Sequence, residues 1–133
     1  MPDPFKFELV SPERLLVSGD VEQVLVPGAE GDMTVLARHA PVLTTLRPGV
    51  LDIGLPGGKR QRFFIRGGFA EVNPAGLTVL AETAIDLDEL RADQLAQAIK
   101  DAEEDVADCA GEARDRAQTK LDHLRQVQAA LHL

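Results

Sequence analysis

Cysteine is all but missing from this chain. Cys109 is the only one, so no intramolecular disulfide can form, which fits a reducing compartment or a fold that needs no bridge. Near a helix end, Cys109 reads as an inert small hydrophobe rather than a nucleophile. Tryptophan and tyrosine are absent, and five phenylalanines are the only phenyl rings. Basic residues number 14 against 22 acidic ones, for a net charge of −8. Nucleic-acid binding without sequence preference draws on Lys and Arg that neutralise phosphates, so that class is excluded. No 18 consecutive apolar residues occur, and the N-terminus has no basic segment leading into an apolar run. The expectation is a soluble protein that meets a membrane only through other proteins.

Patterns of catalysis are missing too. G-x-x-x-x-G-K-[ST], G-x-S-x-G, H-E-x-x-H and paired C-x-x-C do not occur, which leaves no phosphate-cradling loop, activated nucleophile or zinc helix. His39, His123 and His132 are too scattered to suggest a metal site. Gly28-Ala-Glu-Gly31 lacks the third glycine and following helix of a dinucleotide fingerprint and reads as a strand-connecting turn. Asp101, Glu103, Glu104 and Asp105 read as a solvated helix face, because helical spacing spreads those carboxylates apart.

What is present divides sharply after Ile85. All eight prolines, all five phenylalanines and ten of eleven glycines precede that point. The first region carries a net −2 and the second −6. The 133 residues allow one compact domain with an appendage, and enough buried surface for a core without staples.

Before the cut, short apolar runs alternate with turn chemistry, as in antiparallel β proteins. Phe5, Phe7 and Leu9 alternate; further strands are expected at 15–17, 21–26, 33–36, 43–46, 50–53, 60–65, 69–72 and 77–80, roughly nine in all. Ser11-Pro12, Pro27-Gly28, Pro48-Gly49, Pro56-Gly57-Gly58, Gly67-Gly68 and Asn73-Pro74 separate them. Each pair favours reversal, since Pro fixes φ and Gly supplies positive φ.

After the cut, apolar spacing changes from two to three and four. Leu95, Ile99, Ala102 and Val106 line a first helix, which Asp86 or Asp88 could cap. Ala113, Ala117, Leu121, Leu124 and Leu131 line a second, beyond a break near Cys109-Ala110-Gly111. The two should close into an antiparallel hairpin. Its seam is rich in alanine, so it buries little apolar area and is able to open.

Four stretches, in order, carry a family resemblance. Phe7-Glu-Leu-Val-Ser-Pro-Glu13, Val24-Leu-Val-Pro-Gly-Ala-Glu-Gly-Asp32, Arg38-His-Ala-Pro-Val-Leu-Thr-Thr-Leu-Arg-Pro-Gly-Val50 and Gly67-Gly-Phe-Ala-Glu-Val72, followed by the helical tail, resemble epsilon subunits of F-type ATP synthases, homologous to the mitochondrial delta subunit. The resemblance runs nearly the full chain. It implies a flattened antiparallel β-sandwich of about ten strands over 1–85 and an α-helical hairpin over 86–133. It also implies a non-catalytic rotor subunit of the central stalk, peripheral on the cytoplasmic face of the bacterial inner membrane. The sandwich would grip the gamma subunit and sit on the ring of c subunits.

The resemblance further assigns residues. Glu30, Gly31 and Asp32, with the loop at His39, would face the c ring, though Glu30 and Asp32 also read as solvated turn residues and His39 as a structural loop group. The tail would extend along gamma toward the alpha/beta catalytic head and hinder ATP hydrolysis. Arg114, Arg116, Lys120 and Arg125 would then meet acidic groups, unless they form a solvated face with partners such as Glu112 to Arg116. Leu87-Asp-Glu-Leu-Arg-Ala92 fits the motif by which some members bind regulatory ATP, with Glu82, Asp88 and Arg91 as the holding residues. Against this, Ala98 stands where those members carry a second arginine, and the acidic run beyond would repel phosphate. Asp88 then reads as a helix cap and Arg91 as locally paired. The alternative function is an ATP-sensing β domain with a mobile tail, and no other cofactor or metal is expected.

Overall fold

The computed structural model describes residues 3–131. It falls into two compact units, Met1–Asp88 and Glu89–Leu133. The first holds eight strands: β1 (Phe5–Val10), β2 (Leu15–Val21), β3 (Gln23–Gly28), β4 (Gly31–Val35), β5 (Val42–Thr45), β6 (Gly49–Gly54), β7 (Arg60–Asn73) and β8 (Gly76–Asp86). They pair in the order β2-β1-β8-β7-β6-β3-β4, with β5 also on β7. All pairs are antiparallel except β1 with β8.

The long strands β7 and β8 explain how one sheet becomes two layers. Residues 60–65 of β7 pair with β6, and residues 69–72 pair with β5, while β8 follows β7 from residue 63 to residue 73. One layer is therefore β2-β1-β8-β7-β5, the other β8-β7-β6-β3-β4, and a single buried cluster fills the space between. Phe63 and Ile65 face that core from the first half of β7, Ala70 and Val72 from the second. The inward positions switch from odd to even numbers at Gly67-Gly68. In step, β8 switches from Leu77, Val79 and Ala81 to Ala84. A side chain alternates faces with every residue, so this switch needs backbone that ordinary residues resist. Gly67 and Gly68 supply it at φ +70 and +110.

Gly67-Gly68 thus corrects the sequence expectation of a reversal: the chain bends within one strand, because its pairing with β8 resumes in the same register on the far side. That merges two expected strands and gives eight.

The second unit consists of α1 (Ala92–Asp108) and α2 (Gly111–Leu131), which pack along each other. Leu95, Ala98, Ile99, Ala102, Leu121, Leu124 and Val127 are buried. Val106, Ala113, Ala117 and Leu131, expected on the seam, are half-exposed, while Val127 joins it one turn after Leu124. A two-residue connection, Cys109-Ala110, makes the helices antiparallel neighbours. Asp86 and Asp88 do not cap α1. Asp86 Oδ1 instead accepts from the Asp88 amide at 2.9 Å, and the N-cap is Arg91, whose amide donates to Gln94 Oε1 at 2.9 Å. No helix among the described residues is long and apolar enough to cross a membrane.

Candidate functional site

Ala29 and Glu30 form the tip of the β3–β4 hairpin, closed by the Gly28–Gly31 pair. The tip does not hang free. Leaving β5, the chain bridges to the end of β3: the Ala29 amide donates to the Thr45 carbonyl at 2.8 Å, and the Arg47 amide to the Pro27 carbonyl at 3.1 Å. Arg47 then turns its guanidinium onto the hairpin, donating to the Gly28 carbonyl oxygen and to Asp32 Oδ1. Asp32 is thereby ion-paired, with the Arg47 side chain only 21% exposed. Glu30 is exposed and has no hydrogen-bond or ion-pair partner among the described residues.

His39 lies beyond the other end of β4, a strand spanning roughly 14 Å at 3.4 Å per residue. Its Nδ1 is 2.7 Å from the Ala40 carbonyl oxygen. The half-buried ring lines a groove of about 530 Å³ with Phe5, Leu36, Pro41 and Pro74. The structure therefore groups Glu30, Gly31 and Asp32 and sets His39 apart.

Glu82 and Asp88 open on different grooves. Glu82 lies over Gly67 and borders a groove of about 250 Å³ near Ser11–Arg14. Asp88 borders one of about 470 Å³ with Asp52, Lys59, Arg60 and Arg62. Extended β8 separates Glu82 from Asp86 by roughly 13 Å. A hydrogen bond from Arg60 to Asp52, and the charge of that carboxylate, raise the Arg60 pKa above its ordinary value. Arg91 pairs with Asp93 at 3.3 Å, both exposed.

On α2, Arg116 lies 3.9 Å from Glu112, while Arg114, Lys120 and Arg125 have no ion-pair partner among the described residues. These four cations do not share a face. At about 100° per residue, Arg114 and Arg125 flank one side of the buried stripe, Arg116 and Lys120 the other. His132 lies outside the described residues.

One surface escaped the sequence reading. On the outer face of the β5-side layer, Phe69 stands opposite Leu80, Leu80 beside Val10, and Val10 opposite Leu15. Leu43 lies two pairs along from Phe69, on the same face. Leu15, Leu43, Phe69 and Leu80 are 55%, 66%, 41% and 36% exposed. Four of the five large exposed hydrophobic residues among the described residues thus form, with Val10, a stripe across five strands. A contiguous apolar patch on a small protein marks a contact surface. Each residue looks like ordinary strand alternation by itself; only the register assembles them.

Comparison with known proteins agrees with this architecture. Residues 4–87 match the family described as ATP synthase, Delta/Epsilon chain, beta-sandwich domain. The ATP synthase epsilon chain of Parvibaculum lavamentivorans is 53% identical over 128 residues, covering 96% of this chain and 97% of the relative. That of Mesorhizobium japonicum is 48% identical over 132 residues, covering 98% of each. A chain in the mitochondrial ATP synthase of Euglena gracilis, solved with OSCP, F1 and c-ring, superposes with TM-score 0.78 at 29% identity over 99% of this chain and 84% of that one. A chain of the central stalk and c-ring structure from Tetrahymena thermophila shares the fold at TM-score 0.69 and 17% identity, covering 94% and 96%. With a family match over the β unit and close relatives over nearly its whole length, this chain belongs to the epsilon chains of ATP synthase.

Proposed function

We propose that the chain is a non-catalytic rotor subunit that couples rotation of the c ring to gamma and the catalytic head of a proton-translocating ATP synthase. The observation that carries this reading is the exposed apolar stripe of Leu15, Leu43, Phe69 and Leu80 on a well-packed double-layer body. An exposed surface of this kind calls for a partner, and the dense core behind it holds its shape under stress. In this reading the stripe docks on gamma, the β3–β4 tip meets the polar loops of the c ring, and the assembly lies peripherally on the cytoplasmic face of the bacterial inner membrane. The α2 cations, in their two pairs, contact acidic groups of the alpha/beta head and restrain hydrolysis. No nucleotide is part of the reading, because Glu82 and Asp88 open on separate grooves.

The test is reconstitution. Recombinant chain added to epsilon-depleted ATP synthase should co-sediment with gamma and the c ring and restore ATP-driven proton pumping. A version ending at Asp88 should also assemble and pump, with an altered rate of hydrolysis. Failure of the full chain to bind would overturn the rotor reading; failure of the shortened one alone would overturn the division of labour between the units.

A further inference from the structure

We infer that Arg47 is a positioning residue that holds the β3–β4 tip so that Glu30, not Asp32, offers the carboxylate to a donor-bearing partner surface. The inference rests on the rotor reading and assigns roles within its ring-facing tip. Two acidic residues flank Gly31, and their sequence context does not distinguish them. The structure does.

Asp32 is neutralised within the chain by Arg47, whose guanidinium also donates to the Gly28 carbonyl. A planar guanidinium with several donors in a fixed fork suits such a two-point clamp. The Ala29–Thr45 and Arg47–Pro27 backbone bonds strap the same segment from below. Gly28 completes the fit, since a Cβ there would come within 2.7 Å of the Gly31 carbonyl oxygen. The tip is held by four hydrogen bonds, and Glu30 projects from it exposed and without a partner among the described residues. A fixed, unneutralised carboxylate recognises amide or ammonium donors, and fixing it beforehand lowers the ordering cost of the contact. Asp32 meets the same partner only at the expense of its bond to Arg47.

A double-mutant cycle decides this. Full-length Glu30→Gln, Asp32→Asn, Arg47→Met and the paired variants are titrated into epsilon-depleted ATP synthase in vesicles, reading the concentration for half-maximal proton pumping. Co-sedimentation is followed in parallel. For a rim contact of this kind Glu30→Gln should raise that concentration roughly two- to fivefold. Asp32→Asn and Arg47→Met should each raise it by less, and their combination no further than the larger. In the Glu30→Gln background neither should have an effect, because both act through Glu30. Arg47→Lys should rescue part of the loss. An Asp32→Asn effect that persists undiminished beside Glu30→Gln would overturn the assignment, as would a Glu30→Gln titration matching the parent chain. If Arg47→Met fails to fold, the Glu30 and Asp32 cycle alone still decides. If the parent chain itself does not bind the complex, it is the rotor reading that fails.

Discussion

Replacing Gly68 by alanine should destabilise the β unit far more than a glycine-to-alanine change in an open turn. A Cβ at residue 68 would lie 1.9 Å from the Leu80 carbonyl oxygen and 2.9 Å from the Ala81 Cα, both backbone atoms of the paired strand. Ordinary contact requires the strands to part by about 1.5 Å, more than a ladder hydrogen bond tolerates. Two or three such bonds should be lost, at about 1 kcal/mol each. The residue must also keep φ near +110, which costs a non-glycine residue about 1–2 kcal/mol, offset by about 0.5 kcal/mol from a less flexible unfolded chain. Gly57 provides the control, at φ +89 with nothing within 4 Å of its would-be Cβ. Gly57→Ala therefore carries the strain and not the collision. The difference between the two variants should be about 2–3 kcal/mol, or roughly 10–20 °C in the melting temperature of a domain of this size. Calorimetry on the full chain reads it directly. Melting of the two variants within a few degrees of each other would refute the argument that the bend admits no side chain.

Other outcomes follow from burial and exposure. Leu124, fully buried on α2, should cost the helical unit about 2–5 kcal/mol when changed to alanine, seen as loss of helical circular dichroism at lower temperature with the β signal unchanged. Phe69→Gln, at a site 41% exposed, should leave the melting temperature of the free chain within a few degrees and weaken its capture by epsilon-depleted ATP synthase. A variant that binds as tightly as the parent would remove the stripe from the docking face.

The fold was largely legible in the sequence because its signals are local. Alternation at Phe5, Phe7 and Leu9 and the shift to helical spacing at Leu95 and Ile99 each report on a few neighbouring residues. Gly67-Gly68 misled because glycine permits a reversal and a within-strand bend alike, and only the pairing with β8 chooses between them. The start of α1 was misplaced for a similar reason: Asp86 satisfies a local amide and leaves Arg91 at the cap. At the hairpin tip the residues were visible but their division of labour was not. Arg47 reaches Asp32 across 15 positions, and no periodicity links them. The apolar stripe was hidden likewise, since Val10, Leu15, Leu43, Phe69 and Leu80 become neighbours only through four strand registers.

The double membership of β7 and β8 has a mechanical consequence. In a sandwich whose layers share no strand, a twisting force on one reaches the other through side-chain contacts, which can slide. Here two adjacent strands pass from layer to layer as unbroken backbone, and Thr45–Arg47 rivets the layers again at the hairpin end. Relative slippage would have to deform peptide geometry or unzip a ladder. A body built this way passes rotation on with little lag, whichever of its surfaces is driven.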